Sequence, residues 1–368
     1  MAPTGSASPQ LQGVYTVKPL RFFYIPNEGA EGDQVGPRKA FKKLESEGVF
    51  SAYRSYSFLV ERERAKSQSE ALAALLEAVN AFKPDVVFWQ HLNASYPVDR
   101  EFLQRLKSGP SKPKFVWHDP DPYGRLIKPI DAVMKTALAE CDMAVVKGLG
   151  YFAEDVRRAG ASRILFAPES FDDERFCQPW QPTLTRRYDA IMIANLHCLK
   201  RVPFLFMPGG RQRKALAQTF YGAYGDRYAV FGAGQGWKGQ PYCLGPIGFD
   251  AQEATMRQAW LTINWSQFDQ IAMYSSDRLP ISLASGVPHI TNYQRGFEHL
   301  FPGAKGIYFV HSPAEALDVA DMLLSKPREH LIEIGEQGTA YAREYLNATR
   351  IYGDIVTAIR EQLFGEQN

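Results

Sequence analysis

The feature that most constrains this 368-residue chain is a rhythm: short apolar runs rich in β-branched and aromatic residues alternate with longer stretches of helical periodicity. The runs in the first half are LRFFYIP (20–26), DVVFWQ (85–90), KFVWHD (114–119), DMAVVK (142–147) and RILFAP (163–168). Helical patterns lie between them, over 37–48, 67–82, 99–107, 129–140 and 150–159. Strands separated by helices of this length predict a parallel sheet covered on both faces. The stretch FAPESFDDERFCQPWQP (166–182) then breaks the rhythm with prolines and acids, as a connection between domains does. A second series follows: YDAIMIAN (188–195), a helix over 210–221, RYAVFG (227–232), a helical AQEATMRQAW (251–260) and LTINWS (261–266). It continues with a helix over 280–285, PHITN (288–292), GIYFV (306–310) and the helical SPAEALDVADMLLS (312–325). Two last helical stretches, 328–346 and 348–364, have no strand after them, and either cap the second unit or cross back over the first. The fold class expected is therefore α/β, with two doubly wound, Rossmann-like domains facing each other across a cleft. Their expected bounds are 1–170 and 171–346, with 347–368 a C-terminal helix crossing back.

Composition supports this reading and narrows the function. With 45% hydrophobic and 22% charged residues, the chain is long enough for two cores of ~100–200 residues each. Forty-two Lys and Arg against forty Asp and Glu leave a net charge of +2, so no global field draws the protein to nucleic acid or an anionic membrane. Cys141, Cys177, Cys198 and Cys243 form no CxxC pair, which argues for reduced thiols over a disulfide framework or a clustered zinc site. MAPTGSASPQLQG lacks the charged and apolar blocks of a signal peptide and reads as an unstructured leader. No run reaches the ~18 apolar residues of a membrane span, so the expected location is the cytoplasm. No repeat with a period of ~20–50 residues is visible.

Ligands of doubly wound sheets lie beyond the carboxyl ends of the strands, so the strand-to-helix loops are where chemistry is sought. The clearest is YSSDRLPISLASGVPHITNYQRGFEHLF (274–301): a polar loop, a short helix, a small-residue stop, a strand and a second polar loop. It resembles the donor-site segment of GT-B glycosyltransferases, especially the glycosyltransferase family 4 and spore-coat CgeB-like groups, whose pattern is roughly Arg-x-x-Glu-x-x-Ala-Cys-Gly followed by an apolar strand. Arg278, Ala284, Ser285 and Gly286 match that pattern, whereas Ile281 stands where those groups carry Glu. The resemblance implies a GT-B fold, with the nucleotide-sugar donor held by the C-terminal half and the acceptor by the N-terminal half. It implies that Ser275, Ser276, Asp277 and Arg278 hold and neutralise the diphosphate of the donor, here taken as a UDP-sugar. Arg211, in the basic PGGRQRKAL turn, and Asn195, closing the YDAIMIAN strand, are placed with the donor too. Lys200 and Arg201 compete with Arg211 for the phosphate. Glu298 resembles a carboxylate near the donor sugar or ribose and partly compensates for Ile281.

On the acceptor side, transfer to a hydroxyl needs a base within reach of its proton, and KFVWHDPDPYGR (114–125) ends a strand in His118 and Asp119. These two are the expected catalytic residues, unless the donor phosphate takes the proton itself and His118 only orients. His91, just after DVVFWQ, faces the same predicted cleft and is expected to contact the acceptor. Asp119-Pro-Asp121 mimics the metal-binding DxD of GT-A enzymes, but the second α/β half favours GT-B, where catalysis is typically metal-independent. No metal or other cofactor is therefore expected. The glycine-rich loop IPNEGAEGDQVGPRKAF (25–41) places Gly36 and Arg38 where backbone and cation approach phosphate or acceptor. FGAGQGWKG (231–239) has the wrong glycine spacing and no following helix for a dinucleotide fingerprint. Trp237 within it is expected to pack.

The expected function is a glycosyltransferase moving a sugar from a nucleotide-diphosphate sugar to a hydroxyl acceptor, a saccharide foremost, with a hydroxymethylated DNA base also open. A GT-B-fold sugar-nucleotide epimerase and a catalytically silent sugar-nucleotide binding module are the alternatives, the latter because of Ile281.

Overall fold

A computed structural model describes residues 18–176, 183–199 and 202–365. The leader, Cys177, the end of the 166–182 connection, Lys200 and Arg201 lie outside the described residues. The first half runs β1 (Leu20–Ile25), α1 (Val35–Ser46), β2 (Phe50–Ser55), α2 (Phe58–Arg64), α3 (Gln68–Phe82), β3 (Val86–Gln90), α4 (Arg100–Lys107), β4 (Lys114–Asp119), α5 (Ala132–Glu140), β5 (Met143–Val146), α6 (Tyr151–Arg158) and β6 (Ile164–Phe166). Its six strands are all parallel, in the order β2-β1-β3-β4-β5-β6. β3 and β5 are buried at every position, as central strands covered on both faces must be. Helix starts are set by side chains: Ser67, Asp99 and Asp131 each accept from the backbone N–H three residues on, opening α3, α4 and α5.

The second half has β7 (Tyr188–Ile193), a short antiparallel pair β8 (Cys198–Leu199) and β9 (Val202–Phe206), α7 (Gly210–Tyr224), β10 (Tyr228–Phe231), α8 (Gln252–Met256), β11 (Ala259–Asn264), α9 (Arg278–Ala284), β12 (His289–Asn292), α10 (Phe297–Leu300), β13 (Ile307–Val310) and α11 (Pro313–Leu324). Its main sheet is parallel, in the order β10-β7-β11-β12-β13. The fold is thus two doubly wound α/β units, each with its order reversing beside the first strand.

Several elements depart from the sequence expectation. β2 and α2 were not anticipated: β2 is an edge strand in which only Phe50 is fully buried, so it lacks the apolar run of an inner strand. The β8–β9 pair escapes the β-α rhythm because a hairpin carries no crossover helix. The helix expected over 251–260 stops at Met256, and Ala259 and Trp260 instead open β11, paired with β7.

The last two helices go different ways. α12 (Arg328–Tyr345) stays on the second unit, where the Thr339 hydroxyl donates to the Leu283 carbonyl at 2.8 Å. A side chain at Gly335 would collide with the Gly286 carbonyl at 2.3 Å, so glycine there permits the close packing of α12 on the α9 turn. α13 (Ala348–Phe364), capped by Asn347, lies against the first sheet. Its Tyr352 ring meets Phe41 edge-on at 5.3 Å, and Ile355, Val356 and Ile359 join Phe22 and Phe88 in one buried cluster. Among the described residues no helix is long and apolar enough to cross a membrane.

Ile355 is buried in that shared cluster. Ile355→Ala is expected to cost about 2–5 kcal/mol in chemical unfolding. Met322→Ala, at an exposed site on α11, is expected to stay within about 0.5 kcal/mol.

Candidate functional site

The carboxyl ends of the first sheet face the second unit across a cavity of about 600 Å³. Gln90, Pro120, Lys147 and Glu169, which end or follow β3, β4, β5 and β6, line one wall. Asp277 and Ile281 of α9 line the other, and Tyr352 of α13 reaches in from the returning helix.

The segment before α9 is held from both halves. Phe268, Ile271 and Tyr274 are buried in the core of the first unit, and the Leu149 N–H donates to the Ala272 carbonyl at 2.8 Å. Gly148 is required there, since a Cβ would meet Ile271 at 2.4 Å. From its own side the segment is pinned by buried amides: Asn264 donates to the Ser276 hydroxyl at 3.2 Å, and Gln294 donates to the Tyr274 carbonyl. Ser275 and Ser276 are consequently buried. Arg278 donates through Nε to the Ile193 carbonyl at the end of β7 (3.2 Å) and through Nη1 to Asp277 (2.6 Å). Asp277 holds the guanidinium pKa above its ordinary value, so Arg278 is a fixed cation at a strand end.

The remaining donor-side expectations separate. Arg211 is exposed on the first turn of α7, while Arg213 is buried and donates to the Trp265 and Asn195 carbonyls at 2.8 and 2.6 Å. Burial lowers the Arg213 pKa to about 10. Its phase was legible: 213, 216, 217 and 220 share the buried face of α7. Asn195 uses its side-chain oxygen to accept from the Ala233 N–H at 2.8 Å, a structural tie to the glycine loop. In that loop Gly232 is needed because a Cβ would strike the Ala194 carbonyl at 1.9 Å, and Trp237 is buried and donates to the same carbonyl at 2.7 Å. Glu298 is exposed and accepts from the Tyr293 hydroxyl at 2.8 Å.

On the opposite wall the two expected catalytic residues are buried. His118 is fully enclosed against the rings of Phe88 (5.2 Å) and Tyr352 (6.1 Å), and neither ring nitrogen has a hydrogen-bond partner. Burial, with Lys147 and His91 nearby, drives its pKa well below the ordinary value, so it is a neutral ring beneath the surface and not a group at the cleft. Asp119 is likewise enclosed, accepting from the Tyr123 hydroxyl (3.1 Å) and the Asp121 N–H (2.9 Å). Its Oδ1 also lies 2.7 Å from His91 Nδ1. His91 adopts a left-handed backbone (φ 59°), an uncommon conformation for a non-glycine residue, and keeps some exposure. Burial opposes its protonation, but the bond to Asp119 prevails and raises its pKa. The reachable acid–base group is therefore His91, oriented by Asp119. Asp121 pairs with Lys128 at 2.8 Å, so the DxD carboxylates have separate partners. Among the described residues no three His, Cys, Asp or Glu side chains are placed to share a metal ion.

Arg38 is also committed within the protein: it binds the buried Glu28, whose pKa it and Ser57 lower against the effect of burial, and it donates to Ser57 at 3.0 Å. Gly36 lines the cavity and lets α1 approach α13, since its Cβ would lie 3.1 Å from that of Ala348.

Two cleft residues were missed. Lys147 has its side chain only 1% exposed and donates to the Pro168 carbonyl at 2.7 Å; burial lowers its pKa. Glu169 Oε2 stands 3.9 Å from that ammonium, and burial, partly offset by Lys147, pushes its pKa up to about 7. Both occupy the first positions past apolar runs, and the strand-end rule applied to them as it was to His118 points to this cleft.

The family model described as glycosyl transferase-like matches residues 211–353, the part of the chain that carries Arg278. No curated protein matches. Among solved structures, a glycosyltransferase from Rickettsia africae ESF-5 superposes with a TM-score of 0.58 at 12% identity, covering 94% of this chain and 98% of that one. Anabaena Alr3699/HepE, crystallised with UDP and glucose, gives 0.55 at 11% identity over 92% and 99%. TarM gives 0.51 at 9% over 78% of this chain and 58% of its own. At these identities the likeness is one of fold, and the fold is GT-B.

The Glu169 carboxyl ionises at about 7 when folded and near 4.5 when free, so between those pH values the unfolded chain releases a proton that the native chain keeps. Native stability falls across this window. Glu169→Gln removes the loss, and its stability relative to the parent is expected to rise from pH 4.5 to 7 and level off above, read from urea midpoints across pH.

Proposed function

We propose that this chain is a glycosyltransferase of the family 4 and CgeB-like kind, moving a sugar from a nucleotide-diphosphate donor to a hydroxyl acceptor. The observation that carries the reading is Arg278: a cation fixed at the end of β7 and paired with the cavity-lining Asp277, within a segment whose sequence resembles a donor site and which the glycosyl transferase-like model covers. Charge develops on the diphosphate as its bond to the anomeric carbon breaks, and a preset cation in a closed cleft stabilises that charge without reorganising. Asp277 keeps Arg278 in place, and the buried Ser275 and Ser276 shape the loop that presents it.

On the other wall, His91 takes the acceptor's proton while the acceptor oxygen bonds to the anomeric carbon, and Asp119 stabilises the resulting imidazolium. A saccharide is the favoured acceptor, since acidic side chains outnumber basic ones among the described residues that line the cleft. The HepE structures hold UDP with glucose, which makes a UDP-sugar the first donor to test. The proposed chemistry uses no metal, and the place of action is the cytoplasm.

A thermal-shift panel of UDP, UDP-glucose, GDP-mannose, ADP-glucose and dTDP-glucose, with and without Mg²⁺, tests this directly. Ligand at 100 times its Kd stabilises the native state by about 2.7 kcal/mol, a rise of roughly 3–4 °C for a chain of this length. One nucleotide family is expected to give that rise without Mg²⁺ and to lose it in Arg278→Ala. A flat panel sinks the reading, and binding without release of nucleoside diphosphate to any acceptor favours the silent module.

A further inference from the structure

We propose that Lys147 and Glu169 form a specificity pair that binds two neighbouring hydroxyls of the sugar carried by the donor. The assignment rests on the sugar-nucleotide reading above and names the part of the cleft that distinguishes one sugar from another. Three observations carry it.

First, the two groups stand side by side in the wall of the cavity, delivered by the ends of adjacent strands β5 and β6. Their 3.9 Å separation is too long for a hydrogen bond between them. An ammonium with three N–H donors spends one on the Pro168 carbonyl, and Lys147 lines the cavity beside Glu169, whose side chain keeps 14% exposure. A vicinal diol fits this spacing: one hydroxyl oxygen accepts from Nζ, and its neighbour donates to the Glu169 carboxylate.

Second, the opposite wall offers little to a sugar. Ile281 contributes only hydrocarbon there, Asp277 is held by Arg278 at 2.6 Å, and Asp250 pairs with Arg175 at 3.4 Å. Hydroxyl recognition therefore falls to the first unit. Third, Lys147 and Glu169 line the same cavity as Asp277, the partner of Arg278, so the pair sits across the cleft from the cation assigned to the diphosphate. The group attached to that diphosphate extends toward it. Enclosed polar groups that bind hydroxyls reject analogues lacking them, because the protein groups are then left without partners.

The test is calorimetric titration of the full chain with UDP and with UDP-glucose, or with whichever pair from the panel binds tightest. Glu169→Ala and Lys147→Met are expected to weaken UDP-glucose about tenfold and to leave UDP unchanged, with UDP binding itself reporting an intact cleft. Glu169→Gln, which keeps an acceptor oxygen of the same reach, is expected to recover part of the loss. Unchanged UDP-glucose affinity in the variants overturns the assignment. So does an equal loss of UDP, which marks a structural role, or a raised acceptor KM with donor binding intact, which moves the pair to the acceptor. An unmodified chain that binds no nucleotide or nucleotide sugar overturns the glycosyltransferase reading, and this assignment with it.

Discussion

The chain passes between its two units twice, and the two passages are stitched together by backbone. The Phe171 N–H donates to the Leu346 carbonyl and the Ala348 N–H donates to the Phe171 carbonyl, both at 3.0 Å. Phe171 is buried in the cluster of the second unit, while Ala348 one bond away begins the helix that completes the core of the first. Everything at the cleft depends on this junction. It brings α13 back so that Tyr352 reaches the cavity, and it delivers Glu169 two residues before the crossing.

Within the cleft, the division between committed and available polar groups gives the site its character. Arg38, Asn195, Arg213 and Asp119 resemble ligand-binding residues in a list, yet each is engaged with backbone or a buried partner. Such engagement is the normal fate of polar groups in a dense interior, where leaving them unpaired costs more than a hydrogen bond returns. A smaller set stands around the cavity with only part of its bonding capacity used: Arg278 at the end of β7, His91 beyond β3, and Lys147 with Glu169 beyond β5 and β6. The order of β3, β4, β5 and β6 in one sheet sets the mutual placement of His91, Lys147 and Glu169.

Much of this was legible in the residues. The alternation of apolar runs and helical periods located every inner strand of both main sheets, because a strand buried on both faces needs an unbroken apolar run. Edge strand β2 was hidden by its exposed Ser51 and Arg54, and the β8–β9 pair by its lack of a helix. The donor segment was readable because motif and loop chemistry coincide over 274–286. The base was not. His118 and Asp119 adjoin at one strand end, and sequence cannot say which neighbouring side chain faces the sheet interior; here both do, and the accessible ring comes from His91 on the adjoining strand.

The loop that carries Ile271 and Tyr274 into the core of the opposite unit adds a mechanical consequence. In a pair of units joined only by a hinge, swinging apart would leave the donor segment undisturbed. Here it would pull two large side chains from an apolar seat and wet them. The loop leading to Ser275–Arg278 thus acts as a tether, and the energy stored in its anchorage opposes gaping of the cleft at the place where Arg278 is presented.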